Sequence, residues 1–122
     1  MTHYKVLDYE RVAQPEPEIV IYRLSGKMLG TKECYQFLEN VRDDVHAGRA
    51  RVMINLGKVE RLSSAGVGIL AACYTSVTNA RGRVCLIDVP EAVRTLLKIV
   101  LLWDLLPHFA TEEEGHTHLA AG

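Results

Sequence analysis

The chain has 122 residues, 48% of them apolar and 24% charged, with 14 basic and 15 acidic side chains and a formal net charge of −1. That size fits one globular domain able to bury a core without staples, and the even charge balance excludes the basic excess of a nucleic-acid binder. No apolar run reaches the roughly 18 residues that span a bilayer, and Met1 to Val12 is polar and mixed in charge, unlike a signal peptide; a cytoplasmic location without membrane insertion is therefore expected.

Tyr4 to Val12 alternates and reads as a first strand. Gln14-Pro15-Glu16-Pro17 is a turn, because two prolines remove donors and fix φ. Ile19 to Leu24 is rich in β-branched and aromatic residues and predicts a second strand, followed by a loop bracketed by Gly26 and Gly30. Cys34, Phe37, Leu38, Val41 and Val45 then form one apolar stripe at helical spacing, with Gly48 as its C-terminal stop. Val52 to Leu56 is a near-continuous apolar run, the pattern of a strand buried on both faces. Lys58, Glu60 and Arg61 read as a charged loop.

A second helix is expected from Ala65 to Ala80, striped by Val67, Leu70, Ala71, Tyr74 and Val77, with Ser63 or Ser64 as N-cap. Asn79 to Gly82 ends it. Val84 to Ile87 is a fourth strand. Pro90 suits the first turn of a third helix, with Val93, Leu96, Leu97 and Val100 facing inward. Leu105 to Phe109 holds a short last strand, and Thr111 and Glu114 have capping-box spacing for a final helix, against which Gly115 counts. The order is β-β-α-β-α-β-α-β-α. It predicts an α/β domain, with crossover helices on a mixed, partly parallel sheet of four to five strands.

The cysteines, Cys34, Cys73 and Cys85, are odd in number and sit in apolar periodic segments without zinc-ligand spacing, so they read as reduced core thiols. His116 and His118 read as a stray exposed pair and His46 as solvated; no metal site or cofactor is expected. Trp103 reads as closing the core, with an exposed partner anchor as the alternative.

The distinctive stretch is Asn55 to Leu70. It joins a buried strand to Ser63-Ser64-Ala65-Gly66-Val67-Gly68 at a helix start. Helix N-termini carry unpaired N–H groups and partial positive charge. Two glycines leave the first turns without bulk, so another protein could approach closely. The plain alternative is a capped helix whose small residues serve packing.

This stretch resembles the signature of STAS domains, named for sulfate transporters and anti-sigma factor antagonists: an apolar strand, a loop, then Asp-Ser-Ser-Gly-Leu-Gly opening a helix. Leu24-Ser25-Gly26 resembles the L-x-G that ends the second family strand. Val84 to Ile87 matches the fourth strand. Pro90, Val93, Leu96 and Leu97 resemble the S-P-x-V-x-x-L-L of the third helix. The resemblance covers about residues 17–120, preceded by the strand at about 4–12, and implies a single STAS domain over 1–122. It also implies a non-enzymatic, protein-binding regulator of the bacterial anti-sigma factor antagonist kind, which binds an anti-sigma factor that is also a serine kinase. In that partner switching, the kinase phosphorylates the serine before the first glycine. The added charge of about −1.5 to −2 breaks the docking surface.

Aligned on Gly66-Val67-Gly68, that acceptor position holds Ala65, and the family aspartate position holds Ser63. Where the family often has Gly-Glu-Leu-Asp, this chain has Gly26-Lys27-Met28-Leu29. Phosphorylation at the usual position is chemically impossible; Ser64 and Ser63 are the remaining hydroxyls. The resemblance implies a partner-binding site of Leu62, Ser63, Ser64, Ala65, Gly66, Val67 and Gly68. A STAS subunit of a transporter or signalling scaffold complex is the alternative, and the oligomeric state, a homodimer included, stays open. A remote alternative is dinucleotide binding, since Gly66 to Ala71 fits G-x-G-x-x-A and Asp88 lies 22 positions beyond Gly66. The fingerprint needs its glycine directly after the strand, and nine residues, Gly57 to Ala65, stand between on this reading.

Overall fold

The structure, a computed structural model, describes residues 6–121. Its elements are β1 (Leu7–Gln14), β2 (Ile19–Met28), α1 (Lys32–His46), β3 (Arg51–Leu62), α2 (Ser64–Asn79), β4 (Arg83–Ile87), α3 (Glu91–Ile99), β5 (His108–Phe109) and α4 (Glu112–Ala120). They form one five-stranded sheet in the order β1-β2-β3-β4-β5. β1 and β2 are antiparallel, and every later neighbour is parallel. The expected element order and mixed α/β class are both present.

Period-two alternation divides the central strands between two cores. Val20, Tyr22, Leu24, Val52, Ile54, Leu56, Val84 and Leu86 point to one face, where Phe37, Leu70 and Leu97 of the first three helices meet them. Ile19, Ile21, Met53, Cys85 and Ile87 point to the other, where Leu119 of α4 covers them. This is why these strands read as continuous apolar runs. All three cysteines are buried and free, and burial pushes the Cys73 and Cys85 thiols up to about 12.

Several boundaries differ from the sequence reading. The expected strand start at Tyr4 lies outside the described residues; β1 begins at Leu7. β2 does not stop at Leu24. It continues through Gly26, whose φ of +100° suits glycine and whose missing Cβ would collide with the Val6 carbonyl. The segment with Lys58, Glu60 and Arg61 is strand, not loop: β3 keeps pairing with β2 to Leu62, through two register shifts. Val93 and Leu97 are buried, but Val100 is 41% exposed. It lies past the end of α3, where Leu101 takes a left-handed φ of +64° and Leu102 donates back to the Leu97 carbonyl at 2.9 Å. Only His108–Phe109 pairs in the last strand.

α4 forms on the expected N-cap: the Thr111 hydroxyl accepts from the Glu114 N–H at 3.2 Å and donates to the Glu114 carboxylate at 3.1 Å. Gly115 belongs inside it, because a Cβ there would sit 3.1 Å from Met53 and 3.2 Å from Cys85. His116 and His118 are half-buried rather than exposed; the His118 ring tilts against Phe109 at 5.0 Å. His46 is exposed. Trp103 packs on the edge of the first core and stacks on His108 at 3.6 Å.

Two ion-pair clusters tie the N-terminal hairpin to the helices. Asp44, on the last turn of α1, is 2% exposed. It accepts from Arg11 (3.0 and 2.5 Å), from Arg49 (2.7 Å) and from the Tyr22 hydroxyl. Burial alone would raise its pKa, but the bonds from Arg11, Tyr22 and Arg49 outweigh that and hold it below the usual carboxylate value. On the opposite face Arg23 donates twice to Glu112 (2.8 and 2.9 Å), and Asn55 donates to the same carboxylate at 2.7 Å. The Arg23 bond lowers the Glu112 pKa, burial opposes it, and the Asn55 bond lowers it further.

Both carboxylates therefore stabilise the fold above the unfolded carboxyl range near pH 4, and that stability is lost as pH falls through their depressed folded values. Asp44→Asn is expected to cost about 2–3 kcal/mol at pH 7, because it removes one buried charge from a hydrogen-bonded set. It should also flatten the acid limb of stability against pH. Urea unfolding at pH 7, 4 and 3 checks both; an unchanged acid limb would assign the acid sensitivity elsewhere.

Candidate functional site

The carboxyl end of the parallel strands carries the distinctive stretch. β3 ends at Leu62 and α2 begins at Ser64, so a single residue, Ser63, makes the turn. Ser63 is the N-cap. Its hydroxyl accepts from the Gly66 N–H at 3.3 Å and donates to the Met28 carbonyl at 3.3 Å, while its own N–H donates to that carbonyl at 3.0 Å. One carbonyl at the end of β2 thus anchors the start of α2. Of the two candidate caps the structure uses Ser63, and Ser64 stands exposed on the first turn.

The two glycines differ. Gly66 is buried; a Cβ there would collide with the Met28 carbonyl and lie 2.6 Å from Leu62 Cδ1 and 2.9 Å from Met28 Cβ. Its lack of side chain lets α2 seat on β2 and does not open the surface to another molecule. Gly68 is exposed, with open space where its Cβ would be. Val67 is 9% exposed, and Leu62 packs against the core. Only Ser64, Ala65 and Gly68 of the seven expected contact residues are well exposed. Gly30, at φ +80°, lies against Ala65: a Cβ there would come within 2.6 Å of the Ala65 methyl. Leu29 beside it is 39% exposed. The sequence reading missed Leu29 and the Gly30 contact, because the strand extension to Met28 that brings them there was hidden.

The dinucleotide reading fails for a different reason from the spacing argument. With β3 running to Leu62, three residues rather than nine separate strand and glycine. The obstacle is Gly66 itself, which faces the protein's own Met28 and leaves no room for a pyrophosphate. Among the described residues no group of three or more His, Cys, Asp or Glu could hold a metal ion, and no helix is long and apolar enough to cross a membrane.

The family model for the STAS domain matches residues 10–115, and the chain belongs to that family. Solved structures agree on the fold. SpoIIAA, an anti-sigma factor antagonist, in its unphosphorylated form superposes with a TM-score of 0.78 at 17% identity, over 94% of this chain and 99% of that one. The phosphorylated form of the Bacillus SpoIIAA gives 0.73 at 20% identity, over 91% and 98%. An anti-sigma factor antagonist from Mycobacterium paratuberculosis gives 0.75 at 20%, over 93% and 96%. No curated protein matches the sequence.

Two substitutions separate the roles at this turn. Ser63→Ala removes a cap and should cost about 1 kcal/mol. Gly68→Ala fills open space within a helix and should stabilise by about 0.5–1 kcal/mol. Denaturant unfolding measures both; destabilisation by Gly68→Ala would show that the site is not open.

Proposed function

We propose that this chain, as a single STAS domain over 1–122, is a non-enzymatic protein-binding regulator of the anti-sigma factor antagonist kind. It docks on an anti-sigma factor that is also a serine kinase, through the start of α2. The observation that carries this is the exposed, rigid step of Ser64, Ala65 and Gly68, fixed from below by the Met28–Ser63–Gly66 contact. The anchoring means a partner meets a preformed surface and little ordering entropy is lost on binding. Ser63 has both hydrogen-bonding roles of its hydroxyl engaged within the chain, so Ser64 is the accessible hydroxyl for a modifying kinase. A phosphate there would meet a helix N-terminus, which tolerates it, and would add charge to the docking step.

Ala65 favours a second reading. It has no hydroxyl at the position where the family switch acts, and a fixed subunit of a transporter or signalling scaffold complex needs none.

Gly68→Arg distinguishes docking from folding, since it adds bulk where nothing lies within 4 Å. Affinity capture from native cytosol with wild type and Gly68→Arg, followed by mass spectrometry, is expected to recover a serine kinase of the anti-sigma type with the wild type only. The Gly68→Arg thermal midpoint should stay at or above the wild-type value. Recovery of permease or ATPase subunits would move the assignment to the second reading. Capture that is insensitive to Gly68→Arg would place the docking surface elsewhere.

A further inference from the structure

The carboxyl end of the sheet holds cations where the isolated chain does not favour them. Lys27 and Arg61 are register partners on adjacent parallel strands, and both are exposed. Like charges directly across a ladder repel. Neither has an ion-pair partner among the described residues, unlike Arg11, Arg23, Arg42, Arg49 and Arg94, though Arg51 and Arg83 at the opposite end share that lack. Lys32 opens α1, where the partial positive charge of a helix N-terminus disfavours a base. The first turn of α2 has no acidic residue to offset its own positive end.

Lys27 and Arg61 adjoin the docking step along the chain. Lys27 directly precedes Met28, whose carbonyl anchors Ser63, and Arg61 lies two residues before Ser63. Lys58, exposed and paired in register with Ser25, lies on the same end. Glu60 and Glu33 oppose them, Glu60 exposed and Glu33 half-buried, while Asp8, across Ser25 from Lys58, and Asp88, against Gly57, offset Lys58. The reversal is confined to the Lys27–Arg61 register pair, since the chain as a whole is slightly acidic at −1. At its centre lie small or apolar groups, Ala65 and Leu29.

We infer that the docking partner is a protein whose contact segment is acidic, with Asp or Glu side chains seated against Lys27 and Arg61 around a small apolar centre. This deepens the proposed function and rests on its choice of surface. Such an arrangement steers encounter and shows mainly in the association rate. Its cost is visible in the free chain: Arg61→Glu would replace a repulsion with a pair to Lys27. That single change should raise the thermal midpoint while weakening docking, a combination that a merely structural role for Arg61 does not give.

The first test needs no identified partner. The isotope-labelled chain is titrated at low salt with a capped hexaglutamate peptide and, in parallel, with hexalysine. Hexaglutamate should shift amide signals at Lys27, Leu29, Arg61, Ser64 and Ala65, and hexalysine should not. Arg61→Glu and Lys27→Glu/Arg61→Glu should lose the response. Arg51→Glu/Arg83→Glu, a like-charged register pair at the opposite end of the sheet, should keep it. Shifts confined to the Arg51 end, an unaltered response in Arg61→Glu, or no response to hexaglutamate would each overturn the inference. With the protein recovered by capture, Lys27→Glu/Arg61→Glu should slow association about tenfold at low salt and change dissociation far less. If Gly68→Arg abolishes capture while charge reversal leaves the association rate unchanged, the acidic partner is wrong and the docking surface stands. If hexaglutamate maps as expected while capture ignores Gly68→Arg, the docking step at Gly68 is wrong and the anion-binding pair Lys27–Arg61 stands.

Discussion

The Met28 carbonyl fixes the site. It accepts two hydrogen bonds from Ser63 and sits against the bare α-carbon of Gly66. A backbone oxygen at the end of a strand has fixed direction, so whatever it binds inherits that direction. Here it binds the first residues of α2. The close approach is possible only because position 66 lacks a side chain. The exposed residues Ser64, Ala65 and Gly68 are thereby held at a defined height above the strand ends.

That anchor depends in turn on the two central strands running longer than their apolar cores. β2 and β3 stay paired through two register shifts to Met28 and Leu62. Irregularities of this kind re-aim strand ends and cluster near functional sites. The shifts allow Val59 and Leu62 to reach the core while Lys58, Glu60 and Arg61 remain in water. At the other end, Asp44 joins β1, β2 and the C-terminal turn of α1. The lower end therefore joins a neutralised, buried carboxylate cluster to its own Arg51–Arg83 pair, while the upper end carries the open Lys27–Arg61 pair beside the docking turn.

Much of the fold was legible because the central strands are buried on both faces. Val52 to Leu56 and Val84 to Ile87 announce themselves by apolar continuity, and α1 by its stripe. Lys58 to Arg61 did not, because a strand that leaves the helix-covered region loses its apolar signal while keeping its hydrogen bonds. Gly115 looked like a helix breaker, since propensity does not register that Met53 and Cys85 lie close on the neighbouring sheet face. Val100 fitted the stripe of α3, but the helix ends at Ile99 and the chain leaves it through a left-handed Leu101. For the site, the motif picked out the turn from Leu62 to Gly68, of which Ser64, Ala65 and Gly68 are exposed. It could not tell the buried glycine from the open one, because that distinction belongs to Met28, some forty positions away in the chain and adjacent in space.

The burial of all three cysteines has a practical corollary. Thiol reagents attack thiolates that they can reach, and Cys73 and Cys85 are both covered and held neutral near physiological pH, while Cys34 is equally enclosed. The native chain is therefore nearly silent toward maleimide dyes. A cysteine introduced at position 68 would give a single labelled point at the centre of the docking step, and its fluorescence would report occupancy of that surface in a crude extract without removal of any native residue.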